Sequence, residues 1–361
     1  MLTKKYLTPI TSVIALIFAL FVGAIVIALN GNNPIAAYGA LIEGSFSSIP
    51  HLASTLSTAT PLIFTGLGVA VAFKAGVANI GAEGQLYMGG MAAALIGIYV
   101  DAPSIIVIPL ALLVAFLVGG LYGAVPAVLK VKTNTNEVVT TLMLNYIAIL
   151  FTSYLVNYPF KVANAPIGMT ETINDAAKLP VLYPGTRFNI GFLLAILAAV
   201  LIALMFKHTS FGYEMRIQGE SKVFGRYIGI NTDKRIVQGM FIGGGLAGIG
   251  GAILVLGIQY KFVQNISPGY GFDGLTIALM AAFNAYAVIP ISVLFGALRA
   301  GSISMELNTG VPSELSNVIQ ALVILFMAAQ STFTSTLQDK ISKLGFRKEQ
   351  RKLNEKEVQS K

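Results

Sequence analysis

The run Ile236-Val-Gln-Gly-Met-Phe-Ile-Gly-Gly-Gly-Leu-Ala-Gly-Ile-Gly-Gly-Ala-Ile-Leu-Val-Leu-Gly257 decides what kind of protein this is. Within it, Gly243-Gly-Gly-Leu-Ala-Gly248 spells a dinucleotide-binding loop, but such a loop needs a strand before it and a helix after it. Here no charged residue interrupts the run. Its length gives a helix of about 33 Å at 1.5 Å per residue, enough to cross the roughly 30 Å hydrocarbon core of a bilayer. Glycines in a membrane helix let neighbouring helices approach closely, as Gly244 and Gly248 would. The run reads as a membrane helix with a small-residue packing face.

Composition extends that reading to the whole chain. Of 361 residues, 55% are hydrophobic and 11% charged, against roughly 25% charged in an ordinary soluble domain. So little charge cannot coat a soluble surface, and so much apolar content excludes intrinsic disorder. There are no cysteines and only two histidines, His51 and His208, which excludes disulfides, thiolate metal sites and a catalytic thiol. Apolar segments at about 9–29, 55–73, 83–100, 103–125, 137–157, 189–206, 236–257, 273–286, 287–304 and 312–331 predict an all-α polytopic transmembrane helix bundle of about ten spans. The pieces around 74–86 and 267–286 are short and glycine-interrupted, so each is either a complete crossing or a re-entrant element.

The net charge of +8 invites a nucleic-acid partner, but its distribution points to a membrane instead. With Lys4 and Lys5 inside and the spans alternating, all but five of the 24 basic residues fall on the cytoplasmic side; the exceptions are Lys161, Lys178, Arg187, Lys261 and Arg299. That asymmetry is the positive-inside pattern, and it predicts that both termini are cytoplasmic. The first apolar run, Pro9 to Leu29, is too long for a signal-peptide core and has no A-x-A site after it, so it is expected to remain as the first span. The chain divides into a membrane domain at 1–338 and a basic cytoplasmic tail at 339–361.

Three regions depart from ordinary membrane helix. In Lys74-Ala-Gly-Val-Ala-Asn-Ile-Gly-Ala-Glu-Gly-Gln-Leu-Tyr-Met-Gly-Gly90, Glu83 and Gln85 sit in an apolar stretch among glycines. Irregular backbone at membrane depth survives only where protein or a watery cavity satisfies it. An ionisable group there marks a pathway or a partner, or else caps a helix start. In Ser267-Pro-Gly-Tyr-Gly-Phe-Asp-Gly274, Asp273 poses the same choice. Gly81-Ala-Glu83-Gly84 echoes Gly271-Phe-Asp273-Gly274, and under the alternating topology the two helices start on opposite sides. Interrupted segments at matching places in inverted halves point to a transporter's central pathway. Asn79, Glu83, Gln85, Asn145 and Asp273 are therefore the candidate pathway residues.

The third region is the basic loop at about 207–235. On a single helix, Ile217, Phe224, Tyr227 and Ile228 would share one side, with Gln218, Lys222 and Arg226 on the other. Such a helix lies on lipid or docks into a partner protein; the loop's glycines weaken an isolated rod and favour the protein partner. Asn134, Asn136 and Glu137 precede a long helix as capping residues. Asn145 and Tyr146 are expected to face the bundle interior, and Arg299 to snorkel to the headgroups. No phosphate-binding G-x-x-x-x-G-K-[ST] loop and no H-E-x-x-H or G-x-S-x-G motif occurs, so catalytic residues and bound metal are not expected.

Several stretches resemble the membrane subunits of bacterial ABC importers for simple sugars, nucleosides and branched-chain amino acids. They are Ala59-Thr-Pro-Leu-Ile-Phe-Thr-Gly-Leu-Gly68, Phe73-Lys-Ala-Gly76, Asn79-Ile-Gly-Ala-Glu-Gly-Gln85, Asn136-Glu-Val-Val-Thr-Thr-Leu-Met-Leu-Asn-Tyr146, Ser267 to Gly274, Phe295-Gly-Ala-Leu-Arg-Ala-Gly301 and Val311-Pro-Ser with Val318-Ile-Gln320. The likeness covers about residues 34–330 and is greatest to the longer, guanosine-type nucleoside permease. It implies a bacterial plasma-membrane transport subunit rather than an enzyme, binding no cofactor itself while a partner ATPase uses ATP. It further implies a second permease, forming a heterodimer, and a substrate-binding lipoprotein. The loop matching the family's ATPase-coupling element carries Arg216, Gly219, Glu220, Phe224, Arg226 and Gly229. Glu220 and Val223-Phe224 depart from the usual pattern there, as does Ala281-Ala-Phe-Asn-Ala-Tyr286, where a glycine–asparagine–proline turn is usual. Ribose-like sugars or branched-chain amino acids remain alternative substrates, and an ion-coupled secondary transporter using Glu83 and Asp273 is the alternative mechanism.

Overall fold

The computed structural model describes residues 17–163, 165–312, 314–315, 317–322 and 325–326. The 339–361 tail and the start of the first expected span lie outside them. The described residues form an all-helical protein: α1 (Ile17–Leu29), α2 (Pro34–Phe46), α3 (Ile49–Lys74), α4 (Ala82–Tyr99), α5 (Ser104–Thr133), α6 (Glu137–Asn157), α7 (Gly191–His208), α8 (Ser210–Glu220), α9 (Lys222–Tyr227), α10 (Thr232–Ile253), α11 (Tyr270–Met280) and α12 (Ala285–Thr309). Six of these, α3, α5, α6, α7, α10 with its extension to Gln259, and α12, are long and apolar enough to cross a membrane; α1 and α2, which meet at a 118° bend, count as a seventh if taken together.

Among the described residues, 17–39 with those from 305 onward form one compact unit and residues 40–304 another. In the first, Tyr38 Oη donates to the carbonyl of Leu20 across the bend (2.7 Å). Gly23 leaves room for the Tyr38 hydroxyl and Ile319.

In the second unit α10 is the hub, packed against α3, α4 and α5. The decisive run works there as its glycines suggested. Gly68 and Gly243 each lie against the other's carbonyl, Gly89 against Gly248, Gly90 against Gly251, and Gly119 against Gly244 and Gly248. Lipid tails supply no hydrophobic drive between helices, so this close van der Waals approach holds the centre together. The peripheral helices show the opposite pattern. Leu113, Leu117 and Leu121 on α5, and Leu193, Leu197 and Leu201 on α7, are exposed at four-residue spacing, as lipid-facing stripes should be.

The structure corrects the expected segment list between 267 and 304. The segment expected as a span at 273–286 is the eleven-residue helix α11, only about 16 Å long, and α12 begins directly after it at Ala285. A tight turn at 281–284, with Ala282 and Phe283 at positive φ (46° and 58°), takes the place of the usual glycine turn. It lets Phe283 stack on Phe73 with ring centroids 4.8 Å apart.

Non-helical chain leads from α10 into α11. α10 loosens into a π-helix at Leu254–Gln259. The carbonyls freed there are taken up by Leu179 N (2.9 Å, to Leu256) and by the Asn189 side chain (3.1 Å, to Gly257). The extended segment that follows pairs with the α6–α7 connection through Ile173 N to Tyr260 O, Thr170 N to Phe262 O and Gln264 N to Gly168 O (2.8–2.9 Å). It then passes Tyr87 at Ser267 before α11 begins. Residues 260–280 are thus an interrupted segment, extended in one half and helical in the other.

Candidate functional site

The segment between α3 and α4 is built the same way, in the reverse sense. After Lys74 the chain leaves the helix, turns at Gly76 (φ 78°) and runs extended to Gly81, where α4 starts. That start lies inside the bundle: Gly81 rests against Thr141, one turn into α6, and Gly84 against Asn145, two turns in. From here α4 runs away from the Lys74 end, with Gly97 reaching Ile173. α11 runs toward the Lys74 end, with Gly274 against Thr65 and the following turn against Phe73. The echoed sequences are therefore the starts of two oppositely directed half-helices, and they touch. Gly271 lies on the backbone of Ala82 and Glu83 so closely that any side chain there would overlap it.

Polar side chains satisfy the irregular backbone at this junction, as the absence of water at membrane depth demands. Asn79 and Gln85 exchange a reciprocal amide pair (3.0 and 3.1 Å), and Asn79 Oδ1 also accepts from Gly81 N (3.0 Å). Asn145 spans the start of α4, accepting from Gly84 N and donating to the carbonyl of Ile80, both at 2.8 Å. Glu83, 2% exposed, accepts from Gly271 N in the first turn of the opposing helix (2.5 Å). A carboxylate suits that position because helix starts carry partial positive charge and orphan N–H groups. Just ahead of the same helix, Ser267 Oγ accepts from Gly269 N and Tyr270 N (3.2 and 3.0 Å), and Thr65 donates to the carbonyl of Tyr270 (3.0 Å).

Asp273 is placed differently. It pairs with Arg299 of α12, whose Nε and Nη2 both reach Oδ2 (2.9 and 2.6 Å). Nη2 also donates to the carbonyl of Pro268 (3.0 Å), and the guanidinium lies 5.1 Å from the centre of the Tyr270 ring. Arg299 therefore does not snorkel to the headgroups. It joins α12 to both halves of the interrupted 260–280 segment, because an interior carboxylate needs a cation. The five candidate pathway residues thus form two connected groups: Asn79, Gln85, Asn145 and Glu83 around the start of α4, and Asp273 with Arg299 across the start of α11. The sequence reading missed Ser267, Thr65 and Arg299 as parts of this site. An arginine inside the apolar run 287–304 was the available signal for the last. Tyr146 is exposed, not interior, because it sits about 100° around α6 from Asn145.

The 207–235 region is two helices and not one. Ser221 breaks the chain between α8 and α9 and caps the second through Phe224 N (3.2 Å). Gln218, expected on the polar face, is buried against the end of α3, where its Nε2 donates to the carbonyl of Ala75 (3.1 Å). Gly219 packs on the carbonyl of Lys74 and against Gly76. The loop is braced by Arg235–Glu214 (2.7 Å), Arg226–Asp233 (3.3 Å) and Lys222–Asp233 (3.2 Å). Arg216 and Glu220 are exposed, and Gly229 turns the chain at φ 86°. With the loop held in this way, Val223 (81% exposed), Phe224 (53%) and Tyr227 (88%) stand out from α9. At the same end, Asn136 caps α6 through Val138 N (2.9 Å), Glu137 pairs with Lys130, and Asn134 ends α5 at φ 53°.

An interrupted-helix bundle with this internal junction is the architecture of a membrane transport component, and comparison with known proteins agrees. Residues 51–328 match the branched-chain amino acid transport system / permease component family, and the chain belongs to it. It is 36% identical to the guanosine ABC transporter permease protein NupP of Bacillus subtilis over 91% of this chain and 95% of that one. To the nucleoside ABC transporter permease protein NupB of Lactococcus lactis it is 32% identical, over 91% and 92%. A glucose ABC transporter permease of Haloferax volcanii is 33% identical, over 91% and 88%. The chain is an integral membrane transport subunit and not an enzyme.

Proposed function

We propose that this chain is the longer permease of an ATP-driven nucleoside importer. The substrate reading rests on the two nucleoside-directed relatives, and the glucose-directed one keeps a sugar as the second reading. The energetic reading rests on one observation: three large apolar side chains stand exposed on a short, braced helix beside the basic Lys74 end. In water such a patch marks a protein contact, and a separate ATPase is the partner that this transport class requires. By the positive-inside rule the Lys74 end faces the cytoplasm, with both termini on that side. A second permease completes the pathway, and a binding lipoprotein delivers solute from outside. The chain itself holds no cofactor; ATP acts in the ATPase.

Within the chain, Asn79, Glu83, Gln85, Asn145 and Asp273 act at the junction of the half-helices, which is the pivot on which the pathway wall moves. Arg216, Gly219, Glu220, Phe224, Arg226 and Gly229 shape and present the docking surface. The test is uptake into vesicles carrying the whole complex with ATP on the ATPase side. Guanosine is expected to accumulate and to be competed by other nucleosides but not by glucose or leucine. Accumulation of glucose in place of guanosine would favour the second reading.

A further inference from the structure

The start of the half-helix α11 carries a charged pair that hydrocarbon does not suit, beside an exposed side made of Phe272, Thr276 and Leu279. Asp273 and Arg299 retain 17% and 14% side-chain exposure. Their depth is set by the neighbouring Gly274, which packs on Thr65 in the second half of the 26-residue α3, well away from either end. A charged pair with open surface at such depth faces water or protein, because contact with lipid tails is too costly. Beside Asp273 on the same half-helix, Phe272 is 41% exposed. Thr276 follows one turn on, on the same side as Phe272, with its hydroxyl directed back to the carbonyl of Phe272 (3.4 Å). The guanidinium uses Nε and Nη2 on Asp273 and Pro268; among the described residues Nη1 has no hydrogen-bond partner.

We infer that this face, with Phe272, Thr276 and the free edge of Arg299, lines the solute pathway and contacts the nucleoside as it passes. The inference rests on the nucleoside reading above and adds the residues that touch the solute. An exposed aromatic ring offers a stacking surface for a planar base, an interaction that tolerates any base because each has a π-face. The Nη1 edge donates hydrogen bonds to base carbonyls, ring nitrogens or ribose hydroxyls. Because Asp273 already balances the charge of Arg299, the site suits an uncharged polar solute over an anion. None of these contacts is tight, as a conduit requires.

The chain has no cysteine, so an introduced cysteine is its one thiol, and labelling is read on this chain after the subunits are separated. Phe272→Cys and Thr276→Cys would be reconstituted in the whole complex and treated with a small, charged thiol reagent, with Leu197→Cys on the lipid stripe of α7 as control. Both test positions are expected to react about tenfold faster than the control, because thiolate forms only where water reaches. Guanosine with ATP should slow both by about threefold, the protection given by two-thirds occupancy, while leucine gives none. Cysteines as unreactive as Leu197→Cys would overturn the inference, and so would ready reaction that guanosine leaves unchanged. A wild-type complex that fails to take up guanosine would strike the nucleoside reading instead, while the reagent would still report whether the face is wet.

Discussion

Two regions of this chain carry side chains whose polarity is wrong for their surroundings, and they resolve the conflict in opposite ways. At the junction of α4 and α11, amides and carboxylates lie deep in an apolar bundle, and each is bonded to backbone or to another of the group. On α9, Val223, Phe224 and Tyr227 project from a polar, braced loop and remain exposed among the described residues. A mismatch satisfied within the chain holds a shape that the backbone alone could not keep, and any part in transport is played from that fixed shape. A mismatch left unsatisfied is a surface made for another molecule. Changes at the first region should therefore act on folding and changes at the second on assembly.

The largest effect is expected at Gly271. Gly271→Val would drive a branched side chain into the backbone of Ala82 and Glu83 at a cost of roughly 4 kcal/mol or more, and no stable, monodisperse protein should be recovered in detergent. Next, Asn145→Leu removes two buried hydrogen bonds and orphans Gly84 N and the carbonyl of Ile80. A loss of about 2–5 kcal/mol should appear as a lower midpoint of thermal aggregation. If the midpoint did not move, water would have to replace the amide, and the junction would be wet. Phe224→Asp should leave that midpoint within about 0.5 kcal/mol of wild type, as for surface changes generally, while substrate-stimulated ATP hydrolysis by the reconstituted complex is lost. A lowered midpoint would show that α9 is part of the fold and erase the contrast. The smallest effect is expected from Glu83→Gln, whose amide oxygen can still accept from Gly271 N; Glu83→Leu, which cannot, should be clearly less stable in the same assay.

Much of this was legible in the residues. The uncharged run at 236–257 identified a membrane helix and its glycine face, and the helices found at 82–99 and 137–157 lie within a residue of the expected segments. The echo between Gly81–Gly84 and Gly271–Gly274 pointed to two reversed half-helices. That they touch depends on tertiary packing, which local pattern does not carry. Arg299 was misread because snorkelling and interior pairing look identical along a sequence; only the position of Asp273 in space distinguishes them. Gln218 was misplaced because a helical-wheel argument assumes an unbroken helix, and the Ser221 cap ends that helix one turn too soon. The bounds at 273–286 were misjudged because α11 is short and is preceded by an extended segment that has no apolar period to announce it.

The central claim, that α9 is an inward-facing seat for the ATP-hydrolysing subunit, is tested most directly by one cysteine. Tyr227→Cys, in a chain otherwise free of cysteine, would be treated with a membrane-impermeant maleimide in intact cells and in inverted vesicles. It is predicted to be silent in intact cells, to react in inverted vesicles stripped of the ATPase, and to be shielded once the ATPase is restored. Labelling in intact cells, or labelling that the restored ATPase leaves unchanged, would contradict the account.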